Sequence, residues 1–201
     1  MKKIIACFLA FVICCCLLGC EDNSENVKKT NTNEMLTKVL NFEKSFTVYN
    51  KYIEKTTEQT LDDFKYPTYS NALNVFKPYR YTFADFDSDG NDELLIIDAY
   101  LSDFLFLKCD GKKVYGYVHK KISIPDIKTD GTFKTFEYDG YEAISTISFK
   151  GQDYEITNIA YKDETSGIYK LNGKTASKEK VLKYFEDWDK NTVKVELIKF
   201  E

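Results

Sequence analysis

Two stretches of four apolar side chains, Leu94-Leu95-Ile96-Ile97 and Phe104-Leu105-Phe106-Leu107, follow one another closely in the chain with no polar residue inside either. A strand with one wet face alternates apolar and polar side chains. An uninterrupted run of strand length is instead the pattern of a strand covered on both faces. The strands around Glu93–Tyr100 and Ser102–Lys108 are therefore expected at the centre of the fold. Tyr79–Ala84 alternates, placing Tyr81 and Phe83 on one side. Asp110-Gly111, Asp130-Gly131, Asp139-Gly140 and Asn172-Gly173 are turn dipeptides, because Gly enters left-handed backbone freely. They predict hairpins around 103–119, 131–149 and 141–161, and Val193–Phe200 reads as a last strand.

The two ends of this strand-rich region have helical spacing. From Glu34 onward, Leu36, Val39, Leu40, Glu43, Phe46, Asn50 and Ile53 share one helical face. Leu61 to Phe64 reads as a second short helix stopped by Tyr66-Pro67. Near the end, Ser177 is placed to cap a helix whose Val181, Leu182, Phe185 and Trp188 form one stripe. There is no internal repeat and no compositional break after residue 34. The expectation is a single α+β domain over residues 34–201: a mostly antiparallel sheet with an N-terminal helix and a C-terminal helix packed on it.

Charge narrows the partners. The chain has 28 basic and 32 acidic side chains, and Arg80 is its one arginine. Phosphate recognition leans on arginine-rich basic patches, so nucleic acid is not an expected partner. One histidine, His119, excludes two-histidine metal motifs.

The N-terminus carries an address. Met1-Lys2-Lys3 is followed by an uncharged run from Ile4 to Leu18, too short to span a ~30 Å hydrocarbon layer but of the length of a signal-peptide apolar region. Leu17-Leu18-Gly19-Cys20 resembles the lipobox of bacterial lipoproteins. The resemblance implies cleavage between Gly19 and Cys20, lipid on the Cys20 sulfur, and residence at the extracytoplasmic face of the cell membrane. Residues 1–19 are then signal peptide, and residues 20–33, polar apart from Val27, are the lipidated cysteine and a flexible tether. Five of the six cysteines belong to this leader region, which leaves Cys109 alone in the body and no internal disulfide. Loss of Lys2 and Lys3 brings the mature net charge to −6. Two acyl chains anchor stably without a basic patch.

One motif carries chemistry. Residues 85–93 read Asp-Phe-Asp-Ser-Asp-Gly-Asn-Asp-Glu. Asp85, Asp87 and Asp89 alternate, so a tightly curled loop turns three carboxylates inward, and Gly90 supplies the positive φ that the curl needs. Asn91 offers its backbone carbonyl at the seventh position and Glu93 its side chain at the ninth. A hard divalent cation taking six to eight oxygens relieves the repulsion among such carboxylates, and calcium suits the set better than magnesium, which holds a tighter octahedron and keeps its waters. An EF-hand is not expected, because its twelfth position would be Ile96 and both flanks read as strands. The loop resembles the strand–loop–strand calcium site of FG-GAP repeats, with Glu93 in place of the last aspartate. A single copy rules out the propeller that such repeats build. The chain as a whole also resembles small calcium-loop lipoproteins of Gram-positive bacteria, through the acidic loop and the late Leu-Asn-Gly-Lys…Ser-Lys-Glu segment at Leu171–Glu179.

Other constellations are thinner. Cys109 and His119 fall on two arms of one expected hairpin, too few for a closed zinc site, and read as packing or surface residues. Acid pairs for glycosidic cleavage could be drawn from Asp98, Asp103, Glu137, Glu142 and Glu155. No nucleophile elbow, phosphate loop or dinucleotide fingerprint is present. Three readings follow. The first is a non-enzymatic binding or adaptor lipoprotein whose partner is a protein or cell-wall glycan. The others are a carboxylate-dependent hydrolase of envelope material and an inhibitor or immunity-type protein. In each, a calcium ion in the loop is structural, since the protein oxygens saturate it.

Overall fold

The computed structural model describes residues 23–50, 55–64, 76–99, 104–119, 123–136, 140–191 and 193–200. The expected signal peptide, Cys20, Asp103 and Glu137 lie outside the described residues.

The central strands are β4 (Glu93–Asp98) and β5 (Phe104–Cys109), and they are covered on both faces. With β1 (Phe46–Asn50), β2 (Lys55–Gln59), β3 (Pro78–Ala84), β6 (Val114–His119) and β13 (Ile198–Lys199) they form a seven-stranded sheet in the order β13-β3-β4-β5-β6-β1-β2. Helix α1 (Asn23–Leu40) covers one face: its Leu36, Val39 and Leu40 pack with Leu94, Ile96, Leu105 and Leu107. The side chains in between, Leu95, Phe104 and Phe106, point the other way and meet Phe133 and Ile147 of a second sheet. That sheet is antiparallel throughout, with six strands in the order β12-β11-β10-β9-β8-β7: β7 (Ser123–Ile127), β8 (Phe133–Phe136), β9 (Tyr141–Lys150), β10 (Asp153–Asp163), β11 (Ile168–Leu171) and β12 (Lys174–Thr175). On its far face Ile144 and Ala160 pack against Val181, Phe185 and Trp188 of α2 (Lys178–Asn191). The layers therefore run helix, sheet, sheet, helix. The fold is α+β and mostly antiparallel, with a helix at each end, as the patterning predicts. The three expected hairpins form as β5–β6, β8–β9 and β9–β10.

Four local expectations change. The tether expected through residue 33 is helical from Asn23, and Thr32 is buried within α1. The helix expected to run on past Glu43 stops at Leu40. Glu43 N–H donates to Lys38 O (2.8 Å) and Phe42 N–H to Val39 O (3.0 Å), the paired bonds of a Schellman cap. Phe42, at φ 63°, takes the left-handed position that glycine usually fills, so no glycine announced the stop. The chain then extends. Phe46 and Val48 sit two apart on one face of β1 and close over Gly116, where a Cβ would stand 2.7 Å from the Phe46 ring. That fit belongs to the β1–β6 pairing, the parallel one among the described strands. Leu61 to Phe64 is a turn rather than a helix, although both end residues are fully buried. The last expected strand shrinks to Ile198–Lys199 against Tyr81 and Arg80, with an isolated bridge between Lys128 and Lys194.

Candidate metal centre

The acidic loop joins β3 to β4, so its two ends are held one strand spacing apart by the Ala84–Glu93 pair. Such a short connection must curl. Ser88 (φ 60°) and Gly90 (φ 87°) both adopt left-handed backbone to close it. The curl is fixed from inside by Asp85, whose two oxygens accept the N–H groups of Asp89 (3.0 Å) and Gly90 (2.9 Å). Asp89 Oδ1 accepts both the backbone N–H (2.9 Å) and the side-chain amide (3.0 Å) of Asn91. One oxygen from each of Asp85, Asp87 and Asp89 lies within 4.8 Å of the others, a group that could hold a metal ion. The alternating carboxylates thus converge as the spacing predicts. Glu93, beside that trio, is fully buried and its Oε2 accepts Phe86 N–H at 2.9 Å. For Asn91, the described bonds involve its N–H and side-chain amide.

Sequence reasoning missed Lys108. Its ammonium donates to Asp87 Oδ2 (2.7 Å), Asp89 Oδ2 (2.8 Å) and Glu93 Oε1 (2.7 Å). The signal lay in the register. Leu94 pairs with Leu107, which sets Glu93 across from Lys108 on neighbouring strands, where opposite charges attract. Alternation along β5 then turns Lys108 to the same face as Phe104 and Phe106, the face toward the second sheet.

Burial and this ammonium pull against each other. Burial pushes the Glu93 carboxyl up to about 7, and Lys108 offsets only part of that rise. Burial alone would also raise Asp89, but Lys108 and the Asn91 donors outweigh it and hold Asp89 below the usual carboxylate range. Burial would likewise lower the lysine, yet its three carboxylate partners keep Lys108 charged well above its ordinary value. Among the described carboxylates of this cluster, one oxygen remains unsatisfied: Asp87 Oδ1 is buried and has no hydrogen-bond partner, on a side chain only 11% exposed. An orphaned carboxylate oxygen beside two other carboxylates is the environment that a divalent cation resolves.

Lys108 also borders a cavity of about 270 Å³ lined by Asp110, Tyr115, Tyr117, Phe149, Gly151 and Gln152. The Phe149 ring lies 5.4 Å from the Lys108 nitrogen. Tyr117 donates its hydroxyl to Gly151 O (2.6 Å).

The loop also leans on the turn between β7 and β8. Gly131 (φ 79°) packs so closely that a Cβ there would stand 2.4 Å from the Asp85 carbonyl oxygen. Thr132 in the same turn accepts the Trp188 indole N–H at 2.7 Å, linking α2 to the loop through two residues.

The remaining candidates do not assemble. Cys109 pairs with Val114 and His119 with Phe104, at opposite ends of the β5–β6 hairpin. Burial raises the Cys109 thiol, and Met35 and Gly111 surround it. His119 Nδ1 meets the Tyr154 hydroxyl at 2.6 Å. Asp98 accepts Lys77 N–H, Glu142 pairs with Lys162, and Glu155 pairs with Lys150, so these acids serve separate strands. Among the described residues no helix is long and apolar enough to cross a membrane.

Fold and site together define an α+β protein with two stacked sheets and an acidic strand–loop–strand cluster able to hold a metal ion. No family model, curated protein or solved structure matches the chain.

Proposed function

We propose that this chain is an extracytoplasmic lipoprotein, anchored through lipid on Cys20, that acts as a binding or adaptor module and carries one structural calcium ion in its 85–93 loop. The observation that carries the metal assignment is the orphaned, buried Asp87 Oδ1 within the Asp85–Asp87–Asp89 group. Asp85, Asp87 and Asp89 would hold the ion, with Glu93 and the Asn91 carbonyl as further oxygens. Calcium there supplies charge neutralisation and ties β3 to β4. The adaptor reading is supported by the aromatic cavity next to the loop, whose Tyr115, Tyr117 and Phe149 rings, with Asp110 and Gln152, are the residue types that stack on and hydrogen-bond to glycans. The membrane reading is supported by the Leu17-Leu18-Gly19-Cys20 sequence.

Thermal melts of the full chain in detergent micelles, with excess chelator and with ~1 mM calcium, test the metal. A dissociation constant of about 10 µM would add ~2.7 kcal/mol. That is a rise of roughly 5–10 °C for a chain of this size. Asp87→Ala removes the rise. Identical melts with and without calcium refute the assignment. Metabolic labelling with a radioactive fatty acid, retained by the wild type and lost in Cys20→Ser, tests the anchor.

A further inference from the structure

The Lys108 ammonium sits among carboxylates that a metal in the loop would use. It touches one oxygen each of Asp87, Asp89 and Glu93 at 2.7–2.8 Å. A divalent cation drawing on the Asp87 and Asp89 carboxylates at about 2.3–2.6 Å competes with the ammonium, since both charges are positive and Asp87 Oδ1 is the one oxygen of these two carboxylates left without a hydrogen bond. Two features favour exchange over exclusion. Asp87 Oδ1 is buried and unpartnered even with the lysine in place, so the ammonium leaves the cluster incompletely satisfied. And Lys108 has somewhere to go: it is one of the residues lining the cavity beside the loop, where the Phe149 ring already lies 5.4 Å from its nitrogen. Aromatic faces accept ammonium groups.

We infer that Lys108 is a resident counter-ion that a divalent cation displaces from the 85–93 loop, and that the displaced ammonium moves into the cavity lined by Tyr115, Tyr117 and Phe149. The inference rests on the calcium reading above and specifies how that site is regulated. It makes the loop selective by charge. Sodium or potassium brings no more charge than the ammonium and forfeits its three hydrogen bonds, whereas a divalent ion brings twice the charge. It also couples two places. Loading the loop delivers a positive charge to the cavity, so the charge state of the cavity reports metal occupancy, and by linkage any group that holds Lys108 in the cavity strengthens metal binding.

The test is amine labelling of the wild-type full chain in detergent micelles. An acetylating reagent is applied at fixed pH, with chelator and with ~1 mM calcium, and each lysine is followed by peptide mass spectrometry. Calcium binding is measured in parallel by equilibrium dialysis. Lys108 is expected to be protected in chelator and to react at least five-fold faster with calcium, while exposed Lys183 and Lys190 on α2 keep their rates. Lys108→Met, which keeps the stem and removes the charge, is expected to hold calcium at least ten-fold more tightly, and Lys108→Arg is not. Calcium retained by the wild type with no change at Lys108 overturns the exchange and leaves the calcium reading standing. Lys108→Met binding no tighter than wild type overturns it too. No calcium retained by the wild type or by Lys108→Met overturns the calcium reading and the exchange together. Should Lys108→Met not fold, the wild-type labelling decides alone.

Discussion

Gly131, in the turn between two strands of the second sheet, presses on the acidic loop, and replacing it by alanine separates two effects that usually travel together. At φ 79° an L residue is strained, which costs about 1–2 kcal/mol. Beyond that, the new Cβ would stand 2.4 Å from the Asp85 carbonyl oxygen and 3.1 Å from that of Phe86, so backbone must move. Overpacking of this kind costs roughly 1–3 kcal/mol more. Gly173 is the control: its φ is 75°, nearly the same, and a Cβ there meets nothing within 4 Å. Gly173→Ala should therefore show the strain alone, and Gly131→Ala the strain plus the collision. At about 2–4 °C per kcal/mol for this chain length, the two variants should melt roughly 3–10 °C apart, with Gly131→Ala the lower. The assay is paired thermal melts in chelator, followed by urea titrations to check that the unfolding slope is unchanged. Equal melting temperatures would show that the 128–132 turn does not press on the loop in solution, and the proposed contact between sheet and loop would fall. Trp188 gives a second readout, because its indole hydrogen bond to Thr132 adjoins the same turn. Its fluorescence should change in Gly131→Ala and stay constant in Gly173→Ala.

Three further outcomes follow from the same contacts. Glu93 holds its proton up to about pH 7 in the fold and loses it near 4.5 when unfolded, so between those values the native state binds more protons and stability falls as pH rises. In chelator the loss approaches about 3 kcal/mol by pH 7. Urea melts at pH 5.5 and 7.5 should show it, Glu93→Gln should flatten it, and an unchanged slope in that variant would refute the burial argument. Phe106→Ala empties a fully buried site between the two sheets and should cost about 3–5 kcal/mol by denaturant titration; a loss below 1 kcal/mol would mean that the sheets are not packed through that ring. Ser177→Ala removes the cap oxygen that accepts Lys180 N–H at 3.4 Å, a long bond, so melts should show a loss of only about 0.5 kcal/mol.

Much of the architecture was legible in the residues because the signals are local. The apolar runs at 94–97 and 104–107 announce doubly covered strands, since a strand buried on both faces is mostly apolar on both. Asp-Gly and Asn-Gly pairs mark hairpins through backbone freedom that needs no tertiary partner. The α2 stripe was equally plain: of Val181, Leu182, Phe185 and Trp188, all but the half-buried Leu182 are buried. The convergence of Asp85, Asp87 and Asp89 follows from alternation and the left-handed turn at Gly90, together with one at Ser88 that no residue type announced. What misled was also local: the apolar spacing of residues 36–53 fits a helix until Phe42 reverses the backbone, and nothing in a phenylalanine signals a left-handed cap.

What the sequence determined by itself, then, is the two doubly covered strands, the hairpins and their turns, a helix towards each end, the acidic loop, and the Gly19-Cys20 pair behind the proposed anchor. Each depends on neighbours a few residues apart. The tertiary structure alone decided the division into two stacked sheets, the parallel seating of β1 beside β6, the pressure of Gly131 on Asp85, and above all the partner of the acidic loop. Lys108 reads in sequence as a polar residue ending an apolar strand. It becomes the counter-ion of three carboxylates only when the β4–β5 register sets it opposite Glu93 and the pleat turns it toward the loop. Charge pairing between strands is a property of register, and register is settled by the burial of both faces at once.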